Sequence, residues 1–191
     1  QAQVDSHWFQ WLCQQFPDVE THIVALPDAH HPKLSAWLSA LQTAIGQVDE
    51  DTFIVAHSLG CVTTLRFLSE QTEAEALGGL VLVAGFAEPL VNLPELNGFN
   101  REALNWSAVK KHSRNGLVVL SEDDAVVAPE ATERLANALH APLLRLKHRG
   151  HFMHQNGCDT LPEVAQWLRQ HLPQLTPAQG IMSPQNPAKR Q

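Results

Sequence analysis

Residues 52–61 read Thr52-Phe53-Ile54-Val55-Ala56-His57-Ser58-Leu59-Gly60-Cys61. A short apolar run, Thr52–Ala56, passes into His57-Ser58-Leu59-Gly60, after which apolar residues return at helical spacing. This is the strand–turn–helix context of a nucleophile elbow, G-x-S-x-G, with Ala56 in the first place. The turn is tight, so the residues two before and two after the Ser are expected to be small, and Ala56 and Gly60 meet that condition. Such a turn exposes the Ser58 oxygen at a helix N-terminus and aims the Leu59 N–H at a developing oxyanion. Taken alone, an ordinary strand-to-helix turn reads the same way; the residues downstream separate the two.

Working outward, short apolar runs at Glu20–Ala25, Thr52–Ala56, Gly79–Ala84, Gly116–Leu120 and Pro142–Leu146 predict strands. They are continuous runs rather than alternations, as expected where both faces of a sheet are covered. Between them lie helical patterns. Trp8, Trp11, Leu12 and Phe16 mark an opening helix; Leu34, Trp37, Leu38, Leu41 and Ile45 mark a second. Ala131, Leu135, Ala138 and Leu139 follow Pro129, and Leu161, Val164, Ala165, Leu168 and Leu172 follow a predicted Thr160/Glu163 capping box. Alternation of helix and strand predicts an α/β domain of three layers with a mostly parallel sheet over residues 1–173. Residues 86–114 interrupt the rhythm as a small insertion with one short helix near Asn105–Lys111, and the Pro- and Gln-rich residues 174–191 are expected to be a disordered tail.

Two further stretches give the Ser a context. The run Gly116–Leu120 ends in Ser121-Glu122-Asp123-Asp124, and the next predicted strand ends in Lys147-His148-Arg149-Gly150-His151-Phe152. Both fall at the carboxyl edge of a parallel sheet, where ligands bind. Nucleophile, then acid, then His is the chain order of the α/β-hydrolases. Ser58 would attack, His151 would take and return its proton, and an Asp of the pair would orient the imidazole.

The chain resembles the retinoblastoma-binding protein 9 / YdeN family of small serine hydrolases, an α/β-hydrolase group. The likeness runs from His7-Trp8-Phe9-Gln10-Trp11-Leu12 through Ala56-His57-Ser58-Leu59-Gly60-Cys61, Gly78–Phe86 and Ser121–Asp124 to Gly150-His151-Phe152. It implies Ser58 as nucleophile, His151 as base and Asp124 as acid, with Asp123 a turn or capping residue. Family members often carry Pro four residues after the acid; here that place is Ala128, with Pro129 following, which is expected to loosen the acid loop slightly. They also begin with a strand and an H-G-containing loop ahead of the matched His-Trp, where only Gln1–Ser6 stand here. The resemblance thus implies a sheet without its usual first strand and a missing second oxyanion donor. On that basis the chain is expected to be a fragment of a longer protein, poorly soluble and weakly active by itself.

Composition narrows the function classes. With 13 Lys and Arg against 20 Asp and Glu, the net charge of −7 argues against a nucleic-acid partner. The longest nearly apolar stretch, Leu77–Ala87, falls short of the ~18 residues of a membrane span. No nucleotide-binding fingerprint occurs, and the chain contains no Tyr. Three cysteines without a C-x-x-C spacing suit a reducing, cytoplasmic setting. The histidines at 148, 151, 154, 30 and 31 read as loop residues rather than metal ligands, and Cys61 as a small buried residue. Leu90, Leu96, Phe99 and Trp106 of the insertion are candidate walls of a substrate pocket. The expected function is hydrolysis of small esters or related acyl substrates with no cofactor and water as co-substrate. The alternative is a catalytically impaired binding protein of the same fold.

Overall fold

The computed structural model describes residues 5–71 and 75–172. Four strands, β1 (Phe53–His57), β2 (Gly79–Val83), β3 (Gly116–Ser121) and β4 (Leu143–Leu146), form one sheet in the order β1-β2-β3-β4. Every pairing is parallel, with Val55 opposite Val81, Leu82 opposite Val118 and Leu120 opposite Arg145. The helices are α1 (Phe9–Gln14), α2 (Leu34–Ile45), α3 (Leu59–Glu70), α4 (Trp106–His112), α5 (Pro129–Leu139) and α6 (Pro162–His171). Two 3₁₀ segments, Pro94–Asn100 and His154–Asn156, complete the described elements.

The apolar runs are explained by the two covered faces. Leu80 and Leu82 of β2 pack with Leu65 and Leu68 of α3 and Leu135 of α5, whereas Val81 and Val83 pack with Trp8 and Leu12 of the α1 region and Val164 and Leu168 of α6. Successive side chains thus enter opposite layers. All five residues of β2 are buried, and burial stabilises each of its larger side chains by ~1.5–3 kcal/mol. A third cluster, with Trp37, Leu59, Val62, Phe86, Leu90, Phe99, Val127 and Ala131, closes the carboxyl end of the sheet beside α3.

Three sequence-based expectations are corrected. Residues 20–25 do not form a strand. A strand requires a neighbour, and β1 presents its outer edge without a partner among the described residues; Val24 packs on the core as irregular chain instead. The Thr160/Glu163 capping box is absent. Helix α6 starts one residue later, with Leu161 at the N-cap and Pro162 pre-set for the first turn, and Glu163 turns away to Arg149 at 3.0 Å. The insertion contains the Pro94–Asn100 3₁₀ segment besides the expected short helix, α4. Its anchor is Arg66 of α3, whose buried guanidinium donates to the carbonyls of Phe99, Glu102 and Ala103. The tail at 174–191 lies outside the described residues.

Candidate active site

Ser58 sits between β1 and α3 with φ 53° and ψ −122°, a left-handed conformation that costs a non-Gly residue about 1–3 kcal/mol. Two bonds hold it there: its N–H donates to the Val83 carbonyl at 2.9 Å, and its carbonyl accepts from the Cys61 N–H at 2.9 Å. The turn leaves the Ser58 hydroxyl at the N-terminus of α3. Leu59 is the first residue of that helix, so its N–H has no acceptor within it. Ala56 is buried, in line with the demand for a small residue there. At Gly60 the demand is absent, because a Cβ would meet nothing within 4 Å.

Asp124 and His151, the residues expected as acid and base, follow the ends of β3 and β4. Asp124 is buried, and its Oδ1 accepts the N–H of Val126 at 2.8 Å and of Val127 at 3.0 Å. These bonds fix the Asp124 loop despite the shift of proline to position 129, where Pro129 opens α5. The other oxygen, Oδ2, lies 2.8 Å from Nδ1 of the buried His151. A carboxylate oxygen accepts, so Nδ1 carries the proton and Nε2 carries the lone pair. That lone pair faces the Ser58 Oγ at 2.8 Å, within reach for proton transfer.

The loop bearing His151 is unusual backbone. His148, Gly150 and Phe152 have φ of 56°, 49° and 55°. At Gly150 a Cβ would stand 2.5 Å from the Asn156 amide nitrogen, so any side chain there displaces Asn156. Side chains tie this backbone from several directions. Asp123 Oδ1 accepts from Ser121 Oγ at 2.6 Å and from the N–H groups of Arg149 and Gly150 at 3.2 and 3.3 Å. Its carboxyl is held below the usual range, first by the Ser121 hydroxyl. Asn156 Oδ1 accepts from the N–H of His151 at 3.2 Å. Trp8 Nε1–H donates to the Phe152 carbonyl at 3.2 Å. His57 Nε2–H donates to the His151 carbonyl at 2.9 Å. Burial, then the neighbouring His151, hold the His57 imidazole down to about 3, so it stays neutral.

Ser58, Asp124 and His151 are therefore brought together, and Leu59 adjoins them by sequence. Phe99 shares the apolar cluster of Leu59 and meets the Trp37 ring edge-on at 5.4 Å. Trp106 is not part of that cluster. Ser69 Oγ accepts the N–H of Asn105 at 2.7 Å, so Trp106 stands at the far end of α3, roughly 16 Å along the helix from Ser58. It packs against the Leu65 and Val109 cluster instead. Cys61 is fully buried, and burial pushes its thiol far above the ordinary range, which suits packing rather than nucleophilic attack. Among the described residues no group of three His, Cys, Asp or Glu side chains is placed to hold a metal ion, and no helix is long and apolar enough to cross a membrane. Asp123, expected as a turn or capping residue, accepts main-chain N–H groups of this loop. The bonds from His57 and Asn156 were not foreseen; each falls on main-chain atoms, which no side-chain motif announces.

The serine hydrolase family model matches residues 1–170. The chain belongs to the serine hydrolase family. It is 34% identical over 165 residues to the YdeN hydrolase of Bacillus subtilis, covering 85% of this chain and 87% of that protein. The crystal structure of the ydeN gene product superposes with a TM-score of 0.86 over 90% of this chain and 93% of that one. Serine hydrolase RBBP9 of Rattus norvegicus is 26% identical over 149 residues, covering 76% of this chain and 77% of that protein. A YdeN-like hydrolase of Pectobacterium atrosepticum, at 18% identity and a TM-score of 0.66 over 90% of this chain and 85% of that one, shares the fold. The α/β-hydrolase-like architecture and the membership of a hydrolytic enzyme family follow from these matches.

Proposed function

We propose that this serine hydrolase cleaves small carboxylic esters or related acyl substrates through an acyl-enzyme on Ser58. One observation supports the reading above all: the unbroken chain from Ser58 Oγ through both ring nitrogens of His151 to Asp124. As the Ser58 oxygen bonds to the acyl carbon, its proton passes to His151 Nε2, and Asp124 stabilises the imidazolium. The Leu59 N–H faces the charge that develops on the acyl oxygen. Collapse of the tetrahedral species breaks the bond to the leaving alcohol, which departs with the proton from Nε2. Water then yields a proton to the same nitrogen, attacks the acyl carbon, and releases the acid while Ser58 regains its hydrogen. The apolar cluster of Leu59, Leu90 and Phe99 suits an apolar acyl group beside the turn. The free thiols of Cys13, Cys61 and Cys158 suit a reducing, cytoplasmic setting.

A fluorophosphonate probe and a series of p-nitrophenyl acyl esters test the reading. Labelling and turnover are expected in the unsubstituted chain and are expected to vanish in Ser58→Ala. Labelling that persists in Ser58→Ala would overturn it. Labelling at Ser58 with no turnover of any ester would favour the catalytically impaired binding protein.

A further inference from the structure

We propose that His57 is a positioning residue for the base: its Nε2–H, donated to the main-chain carbonyl of His151, ties the base loop to the strand end that carries Ser58. The inference rests on the reading of Ser58 and His151 as nucleophile and base. The bond between His57 Nε2 and the His151 carbonyl oxygen measures 2.9 Å. A carbonyl only accepts, so Nε2 is protonated and the tautomer is set. His57 and Ser58 are consecutive, and one rigid strand end thus fixes both the nucleophile and the backbone of its proton acceptor.

The surroundings of His57 suit that task. The rings of His7, Trp8 and Phe9 stand edge-on to it at centroid distances of 5.7, 6.1 and 6.1 Å, and the His151 ring lies 4.9 Å away. His7 and His151 are the titratable groups whose charges act on it. A neutral ring beside His151 adds no repulsion when His151 becomes an imidazolium during attack. The His151 loop needs such a tie because it runs through three left-handed residues in five, at 148, 150 and 152. Asn156 holds the N–H of His151 and His57 holds its C=O, so the base is gripped on both sides of its Cα. Neither residue exchanges a proton with the substrate. Displacement of the base by about 1 Å costs on the order of 10²-fold in rate, which is the scale at which such a tie acts.

The test compares His57→Gln, whose amide can place a donor near the Nε2 position, with His57→Met, of similar shape and no donor. With a p-nitrophenyl ester, kcat is expected to fall about 10- to 100-fold in His57→Met. KM should hardly move, and His57→Gln should recover most of the loss. Thermal unfolding of both variants checks that they fold alike. A merely space-filling role predicts the reverse ranking, so turnover by folded His57→Met equal to or above that of His57→Gln overturns the proposal. Ser58→Ala and His151→Ala run alongside: turnover surviving in them sinks the reading of the site, whereas their inactivity with unranked His57 variants sinks only this inference. Should His57→Met not fold, ¹⁵N spectra of imidazoles in the unsubstituted protein decide. An Nε2–H tautomer that does not titrate from about pH 5 to 8 is expected, and an Nδ1–H tautomer or a titration in that range overturns it.

Discussion

The main-chain N–H of Arg149 points at Oδ1 of Asp123 across 3.2 Å, two residues ahead of His151, while Asp124 takes the imidazole itself. Adjacent acids at one strand end therefore act on one loop at two levels, its backbone and its ring. They respond differently to amidation. All the hydrogen bonds of Asp123 fall on Oδ1, which an Asn retains, so Asp123→Asn is expected to lose little activity. In Asp124→Asn, the N–H groups of Val126 and Val127 keep the amide oxygen, and the amide NH₂ faces His151. The ring must then carry its proton on Nε2, the wrong tautomer for accepting one from Ser58. A loss of kcat approaching ~10⁴-fold is expected, as in a serine protease with the same change. Steady-state ester hydrolysis compares the two; a larger loss in Asp123→Asn would reassign the acid.

Gly150→Ala should lower activity although it adds a single methyl group. The added carbon would stand 2.5 Å and 2.6 Å from the Nδ2 and Cγ of Asn156, at a residue with φ of 49°. Asn156 must move, and the bond it accepts from the His151 N–H goes with it. The expected signature is a fall in kcat of about 10²-fold with the fold preserved. Unchanged turnover in folded Gly150→Ala would show that the Asn156 contact does not position the base.

The neutral His57 gives the fold a dependence on pH. Its imidazole is held to about 3 in the folded chain, against about 6.5 when unfolded. Between those values the unfolded chain binds the extra proton, so stability is fully present above about pH 6.5 and is lost as pH falls. The loss approaches at most about 1.4 kcal/mol per pH unit, less for the screening that partial exposure brings. His7, also lowered chiefly by burial, adds in the same direction. Denaturant unfolding from pH 7 to 4 should show the slope in the unsubstituted chain and a flatter one in His57→Gln. Equal slopes would mean that His57 is protonated when folded.

Legibility of the sequence followed the physics that shaped it. Continuous apolar runs reveal strands covered on both faces, so the four strands of the sheet were visible to within a residue or so. Residues 20–25 have the same composition and no ladder, because strand formation depends on a neighbour that composition does not describe. Ser58, Asp124 and His151 stand out because the chemistry proposed for them needs particular side-chain types at strand ends. The ties from His57, Asp123 and Asn156 grip main-chain atoms, and any donor or acceptor of suitable reach could serve. Trp106 illustrates the remaining difficulty: an aromatic residue in an insertion near the carboxyl edge looks like a pocket wall until the path of the insertion is known.

That path separates the two aromatic residues of the insertion into different tasks. Phe99 is buried with Leu59, directly after Ser58, and its carbonyl is pinned by Arg66 at 2.8 Å. Trp106 is half-buried at the opposite end of α3 and braces α4. Truncating a buried aromatic to Ala costs ~3–5 kcal/mol, so Phe99→Ala is expected to threaten folding, and the milder Phe99→Leu is the informative change. Phe99→Leu should shift the preference between short and long acyl esters, because it reshapes the cluster against which an acyl chain beside Ser58 would lie. Trp106→Ala should lower the unfolding midpoint while leaving the ratio of kcat/KM for short and long esters unchanged. Measuring that ratio over a series of p-nitrophenyl esters in both variants, beside thermal unfolding, decides the matter. A shifted ratio in Trp106→Ala with none in Phe99→Leu would place the acyl site along the length of α3 rather than at its Ser58 end.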